Sequence, residues 1–295
     1  MSTGSDNAAY EVIAERSFER PVLVVALEGW VDAGLGAVTA LASLLSERPT
    51  ETVVAFNGDL FLDQRARRPV ARIVNGVTTE LTWPRAEIRA GRDRAGSDVL
   101  YLVGPEPDFH WKLFVDSVVA IAVRWGVRLV VGLGAFPAPA PHTRPVRLAA
   151  TAPSASSELI GRIGIIQGEL EVPAGVLAAL ELGFEAAGID AVSLWARVPH
   201  YVSAMAFPEA SAALIDGLNS ISGCEFDSSS LRSAADSSLR QVDDLIAGNP
   251  EHRAMLRNLE ESIDASEGNA LGVDAVPSGD ELAAEFEKFL RGEDH

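Results

Sequence analysis

Residues 22–28 read Val-Leu-Val-Val-Ala-Leu-Glu, six apolar side chains in succession without polar alternation. Successive strand side chains point to opposite faces, so such a run is a strand buried on both sides, in a sheet with helices packed on each face. Residues 35–46 follow with apolar side chains at helical spacing, Pro49 stops them, and residues 52–56 form a second β-rich run. A strand–helix–strand unit of this length predicts a parallel, right-handed crossover and therefore an α/β protein.

The rhythm returns downstream. Strands are expected over 99–103, 127–133 and 189–198, and helices over 111–125, 174–187 and 208–222. Pro173 and Pro208 sit where a first helical turn tolerates proline, and Gly188 where a helix ends. Residues 146–150 carry a further strand signal, residues 156–162 a helix signal, and residues 165–172 a short strand or loop. One segment breaks the pattern. Residues 70–74, the pair Asn75-Gly76, and residues 77–83 predict a β-hairpin, expected as an antiparallel insertion on an otherwise mostly parallel sheet.

No strand signal follows residue 223. Residues 230–247 and 250–265 have apolar residues at three- and four-residue spacing, joined at Gly248-Asn249-Pro250, which predicts two antiparallel amphipathic helices. A last short helix is expected over 280–290. The expected division is an α/β core over 1–223 and an acidic helical segment over 224–295.

Charge narrows the partners. The chain carries a net charge of −18, and residues 224–295 hold 17 acids against 6 Lys or Arg. That surface repels phosphate backbones and anionic lipid heads, so neither nucleic acid nor membrane is an expected partner. No uncharged apolar run is long enough to span a bilayer, and residues 1–10 carry no signal-peptide pattern. The single cysteine, Cys224, allows no internal disulfide. A cytoplasmic location is expected. Cys224 has an acid beside it and no helix start behind it, the setting of a small packing residue rather than a nucleophile.

Ligands of parallel sheets collect beyond the carboxyl ends of the strands. Four strand ends here carry suggestive residues, expected to share one rim: Gly29, Trp30, Asp32 and Gly34; Gly104 and Glu106; Gly134 with His142; and His200 with Tyr201. Asp32 reads first as a helix cap and second as a catalytic acid. There is no Walker loop, no Gly-x-Ser-x-Gly elbow and no His or Cys spacing that suggests a metal, so no catalytic residue, metal or cofactor is assigned. Trp83, Phe109, Trp111 and Phe136 lie in or beside loops, where large aromatics favour an interface.

The run Ala26-Leu27-Glu28-Gly29-Trp30-Val31-Asp32-Ala33-Gly34 resembles the Gly-Trp-x-Asp-Ala-Gly opening of the proteasome assembly chaperone 2 family, in its actinobacterial branch. Further markers follow in order: Phe56-Asn57-Gly58-Asp59, Arg65 to Arg68, the Gly104 loop, and Gly132-Leu133-Gly134-Ala135. His142-Thr143-Arg144-Pro145-Val146, Gly168 and Trp195-Ala196-Arg197-Val198-Pro199-His200-Tyr201 complete the set. The resemblance implies a phosphorylase/hydrolase-like three-layer α/β/α sandwich and homo-oligomerisation. It also implies an interaction role, since eukaryotic members assist assembly of the proteasome α-ring. Relatives that dock on proteasomes use a hydrophobic-Tyr-any tail, whereas this sequence ends Leu290-Arg291-Gly292-Glu293-Asp294-His295. Two readings stay open: a non-enzymatic assembly-chaperone-like or interaction protein working as a homo-oligomer, and a small-molecule hydrolase or nucleoside-phosphorylase-like enzyme using the strand-end loops.

Overall fold

The structure, a computed structural model, describes residues 8–29, 31–165 and 168–268. The expected helix over 280–290 lies outside the described residues. In chain order the strands are β1 (Tyr10–Val12), β2 (Val22–Glu28), β3 (Glu51–Phe56), β4 (Val70–Val74), β5 (Val77–Thr82), β6 (Glu87–Arg92), β7 (Asp98–Pro105), β8 (Leu129–Ala138), β9 (Leu148–Thr151) and β10 (Asp190–Pro199). The helices are α1 (Gly36–Glu47), α2 (Gly58–Phe61), α3 (Trp111–Arg124), α4 (Ser157–Ile160), α5 (Val176–Ala186), α6 (Pro208–Ser222), α7 (Ser229–Ala247) and α8 (Pro250–Gly268).

Eight strands form one mixed sheet in the order β1-β3-β6-β7-β2-β8-β10-β9. Its centre, β7-β2-β8-β10, is parallel, and β1, β6 and β9 run against the other five. Strand β2 shows why the chain must be layered. Val22, Val24 and Ala26 enter the apolar cluster shared with α1 and α6, while Leu23 and Val25 enter the one shared with α3 and α5. A strand with six consecutive apolar residues needs helices on both faces, and it has them.

Several expectations are corrected. The β2–α1–β3 crossover keeps its parallel sense, but β6 and β7 lie between its two strands. The hairpin β4–β5 pairs only with itself and is not part of the main sheet. The antiparallel insertion in the sheet is instead β6, whose buried Ile88 and Ala90 alternate with less buried Glu87 and Arg89. The strand expected over 127–133 runs further, because β8 continues to Ala138 beside β10 and takes in Gly134 and Phe136. Within 165–172 the described residues show only a bridge from Ile165 to Ala150.

Helix α7 packs on α6, and Leu231, Val242 and Ile246 join the same cluster as β2, as do Cys224 and Phe226. Leu239 packs at the edge of that cluster, whereas Leu245 points to solvent at 62% exposure. The predicted apolar stripe on α7 is therefore seated on the α/β core, with one member turned outward.

Candidate functional site

The carboxyl ends of β2, β7, β8 and β10 lie together, as parallel register requires. The Glu106 N–H donates to the Glu28 carbonyl at 3.0 Å, and Asp32 forms a parallel bridge to Ala135. Gly29 lies against the Glu106 carboxylate. Gly34 has φ 64°, a conformation that glycine adopts without strain, and is tied to the 200–207 loop from both sides. Its N–H donates to Ser203 O at 2.7 Å, and its carbonyl accepts from Phe207 N–H at 2.8 Å. Trp30 lies outside the described residues.

Asp32 stands one 3-10 turn ahead of α1. Its Oδ1 accepts from Ala37 N–H at 2.7 Å and its Oδ2 from Val38 N–H at 3.0 Å. Burial raises this carboxyl above its ordinary value, against the opposing pull of those amides. Glu106 does the same for α5: it is buried, and its Oε1 accepts from Val176 N–H at the first residue of that helix. Each helix start that could receive an anion at these two points is thus already met by a carboxylate of the chain.

The two remaining glycines of the strand ends lie close against the chain itself. Gly104 lies within β7 against the backbone of Arg85 and Ala86. Gly134 lies inside β8, paired with Trp195, and a Cβ there would come within 2.4 Å of the Trp195 ring. Its smallness makes room for an indole rather than for a ligand. His110 caps no side-chain bond at the start of α3.

His142 and Tyr201 do come together, with a third member that sequence reasoning missed. The His142 backbone N–H donates to the Tyr201 hydroxyl oxygen at 2.8 Å. That hydroxyl stands 2.8 Å from His142 Nδ1, and Nε2 stands 3.0 Å from Asp243 Oδ1 on α7. One proton assignment satisfies the whole chain: Tyr201 donates to Nδ1, and Nε2–H donates to Asp243. The His142 side chain is 1% exposed, and His200 stacks edge-on against the far side of Tyr201 at 5.3 Å. Asp243 is 101 residues from His142 in sequence, and no spacing or motif links them.

Burial pushes the Tyr201 phenol up to about 12, away from the phenolate a nucleophile needs. Cys224 is buried, its thiol also raised by burial, and it belongs to the turn after α6 rather than to this rim. Among the described residues, no group of three His, Cys, Asp or Glu side chains could hold a metal ion. A second polar chain, half-buried, runs from β10 through β9 to α5. Trp195 Nε1–H donates to Thr151 Oγ1 at 3.0 Å, and Thr151 donates to Glu181 at 2.9 Å. Beside it is a small cavity lined by Gly132, Leu180, Glu181, Phe184 and Ser193. Among the described residues, no helix is long and apolar enough to cross a membrane.

The comparisons place this geometry. The PAC2 family model matches residues 26–246. A Mycobacterium tuberculosis protein of unknown function is 31% identical, with a TM-score of 0.83 over 97% of this chain and 99% of its own. A proteasome-assembly chaperone homologue from the same organism is 34% identical, with a TM-score of 0.72 over 80% and 99%. A PAC2 family protein from Streptomyces avermitilis is 32% identical, with a TM-score of 0.70 over the same shares. No protein with a curated description matches. The chain belongs to the PAC2 family.

Proposed function

We propose that this chain is a non-enzymatic interaction protein of the assembly-chaperone type, working in the cytoplasm as a homo-oligomer. The observation that carries the reading is the hairpin β4–β5. Every residue of its two strands is exposed, and Val70, Ile73, Val77 and Leu81 are between 46% and 69% accessible. A two-stranded ribbon with no covered face is marginal in water, and apolar side chains on it call for a partner. Trp83 and Phe109 add exposed aromatics at 52% and 48%, while Trp111 and Phe136 are half-buried.

Two further points support the reading. A close relative is named a proteasome-assembly chaperone homologue, which favours protein assemblies as partners. In the alternative, a hydrolase or nucleoside-phosphorylase-like enzyme, an anionic substrate would find the helix starts at Asp32 and Glu106 already met by those carboxylates. We assign the hairpin to self-association, and helices α7 and α8 to an arm docked on the core.

The test is the solution mass of Ile73→Asp/Trp83→Ser beside the unaltered chain, by light scattering at tens of micromolar, where weak assemblies are about half formed. The unaltered chain is expected as an oligomer and the variant as a smaller species, both fully folded by circular dichroism. A monomeric unaltered chain would overturn the reading.

A further inference from the structure

Helix α8 packs against α7, and three consecutive residues of the loop after β8 each hold an acid from this helix pair. His142 holds Asp243 of α7. The Thr143 hydroxyl donates to Glu260 of α8 at 2.6 Å. Arg144 grips Asp264 at two points, Nε–H to Oδ1 at 2.9 Å and an Nη2–H to Oδ2 at 2.8 Å. A fork of this kind reads both the charge and the orientation of a carboxylate.

The acids of α8 obey a spacing rule. Glu260 and Asp264 are one helical turn apart, and Leu256, one turn earlier, packs against the core cluster. A leucine, a glutamate and an aspartate at four-residue steps fall on one side of a helix, so one surface meets all three. The two ends of that surface differ in firmness. His142 is buried and braced by Tyr201, whereas Arg144 and Asp264 are 34% and 52% exposed. Met255, Leu256, Leu259 and Ile263 are only half-buried. Exposed ion pairs over a half-covered apolar stripe hold a helix weakly and respond to salt.

We propose that residues 142–144, with the adjoining face of α7, form a receptor for an acidic amphipathic helix of the pattern Leu-x3-Glu-x3-Asp. In this chain its own α8 fills the receptor, and the partner that fits it in trans is the α8 of a second copy. The proposal stands on the contacts of α8 and is independent of the hairpin. It gives α8 a working role, as the segment that leaves the Thr143 and Arg144 contacts of its own chain for those of a second copy.

The test uses the full-length chain and a fluorescent peptide of residues 250–268, with binding read by anisotropy. Three proteins are compared: the unaltered chain, Glu260→Gln/Asp264→Asn, and that double variant with Arg144→Gln added. All three altered side chains are at least partly exposed, and unchanged circular dichroism checks the fold. Neutralising the arm should vacate the receptor, so the peptide is expected to bind the double variant at least tenfold more tightly than the unaltered chain. Adding Arg144→Gln should remove that gain, and raising the salt should weaken what binding remains. Equal binding to the first two proteins, binding that survives Arg144→Gln, or no binding to any of them would overturn the proposal. Because peptide capture does not depend on oligomer mass, a monomeric chain would sink the hairpin reading and leave this result interpretable.

Discussion

Asp32 commits both carboxylate oxygens to the amides of Ala37 and Val38, which fixes the entry of the chain into α1 beneath the rim. Asp32→Ala is therefore expected to lower stability by about 1–2 kcal/mol, the usual cost of a lost cap, measured by urea denaturation. Glu181 is shifted in the same direction as Asp32. Burial raises its carboxyl above the ordinary 4.5, against hydrogen bonds from Ser193 and Thr151. The folded state thus favours the protonated acid, and this contribution to stability is lost as pH rises from the ordinary value through the raised one. Glu181→Gln keeps an acceptor for Thr151 and cannot ionise. It is expected to raise the melting temperature by about 2–4 °C at pH 8 and to change it little at pH 4, read by scanning calorimetry. These residues were unequally legible. A helix-capping role for Asp32 follows from its place before an apolar helical run, whereas nothing near His142 announces Asp243 on a helix packed from far along the chain.

At the scale of elements, legibility followed burial on both faces. Strands β2, β7 and β10 are largely apolar runs, and α6 carries Pro208 in its first turn with left-handed Gly223 beyond its end, so their positions stand close to expectation. Strand β6 escaped because its charged residues hide a two-residue alternation only six residues long. The end of β8 is set too early in sequence because Gly134, a small residue that makes room for Trp195, looks like the start of a loop. The hairpin was read correctly as an element but not in its place. Asn75-Gly76 specifies the turn, with both residues at positive φ, yet no local signal says whether a hairpin joins a neighbouring sheet. Its exposed apolar residues are the consequence of that detachment. Partner pairing, not local propensity, decides where it ends up.

At the scale of the whole molecule, a layered α/β core brings four strand ends to one rim, and the rim is filled by the chain's own carboxylates and by an arm folded across one side. The ribbon β4–β5, between α2 and β6 in the chain, is exposed along both strands and open to a partner. An interaction protein of the PAC2 family would use such a surface, and a covered ribbon differs from a bare one in how fast its backbone amides exchange. The most direct measurement is hydrogen–deuterium exchange of residues 70–82 in the full chain, followed over a hundredfold dilution from about 100 micromolar. Self-association through the hairpin predicts amides protected at high concentration that become exposed on dilution, with the core strand β2 unchanged. Exchange of the hairpin amides at the rate of an unstructured peptide, at every concentration, would contradict it.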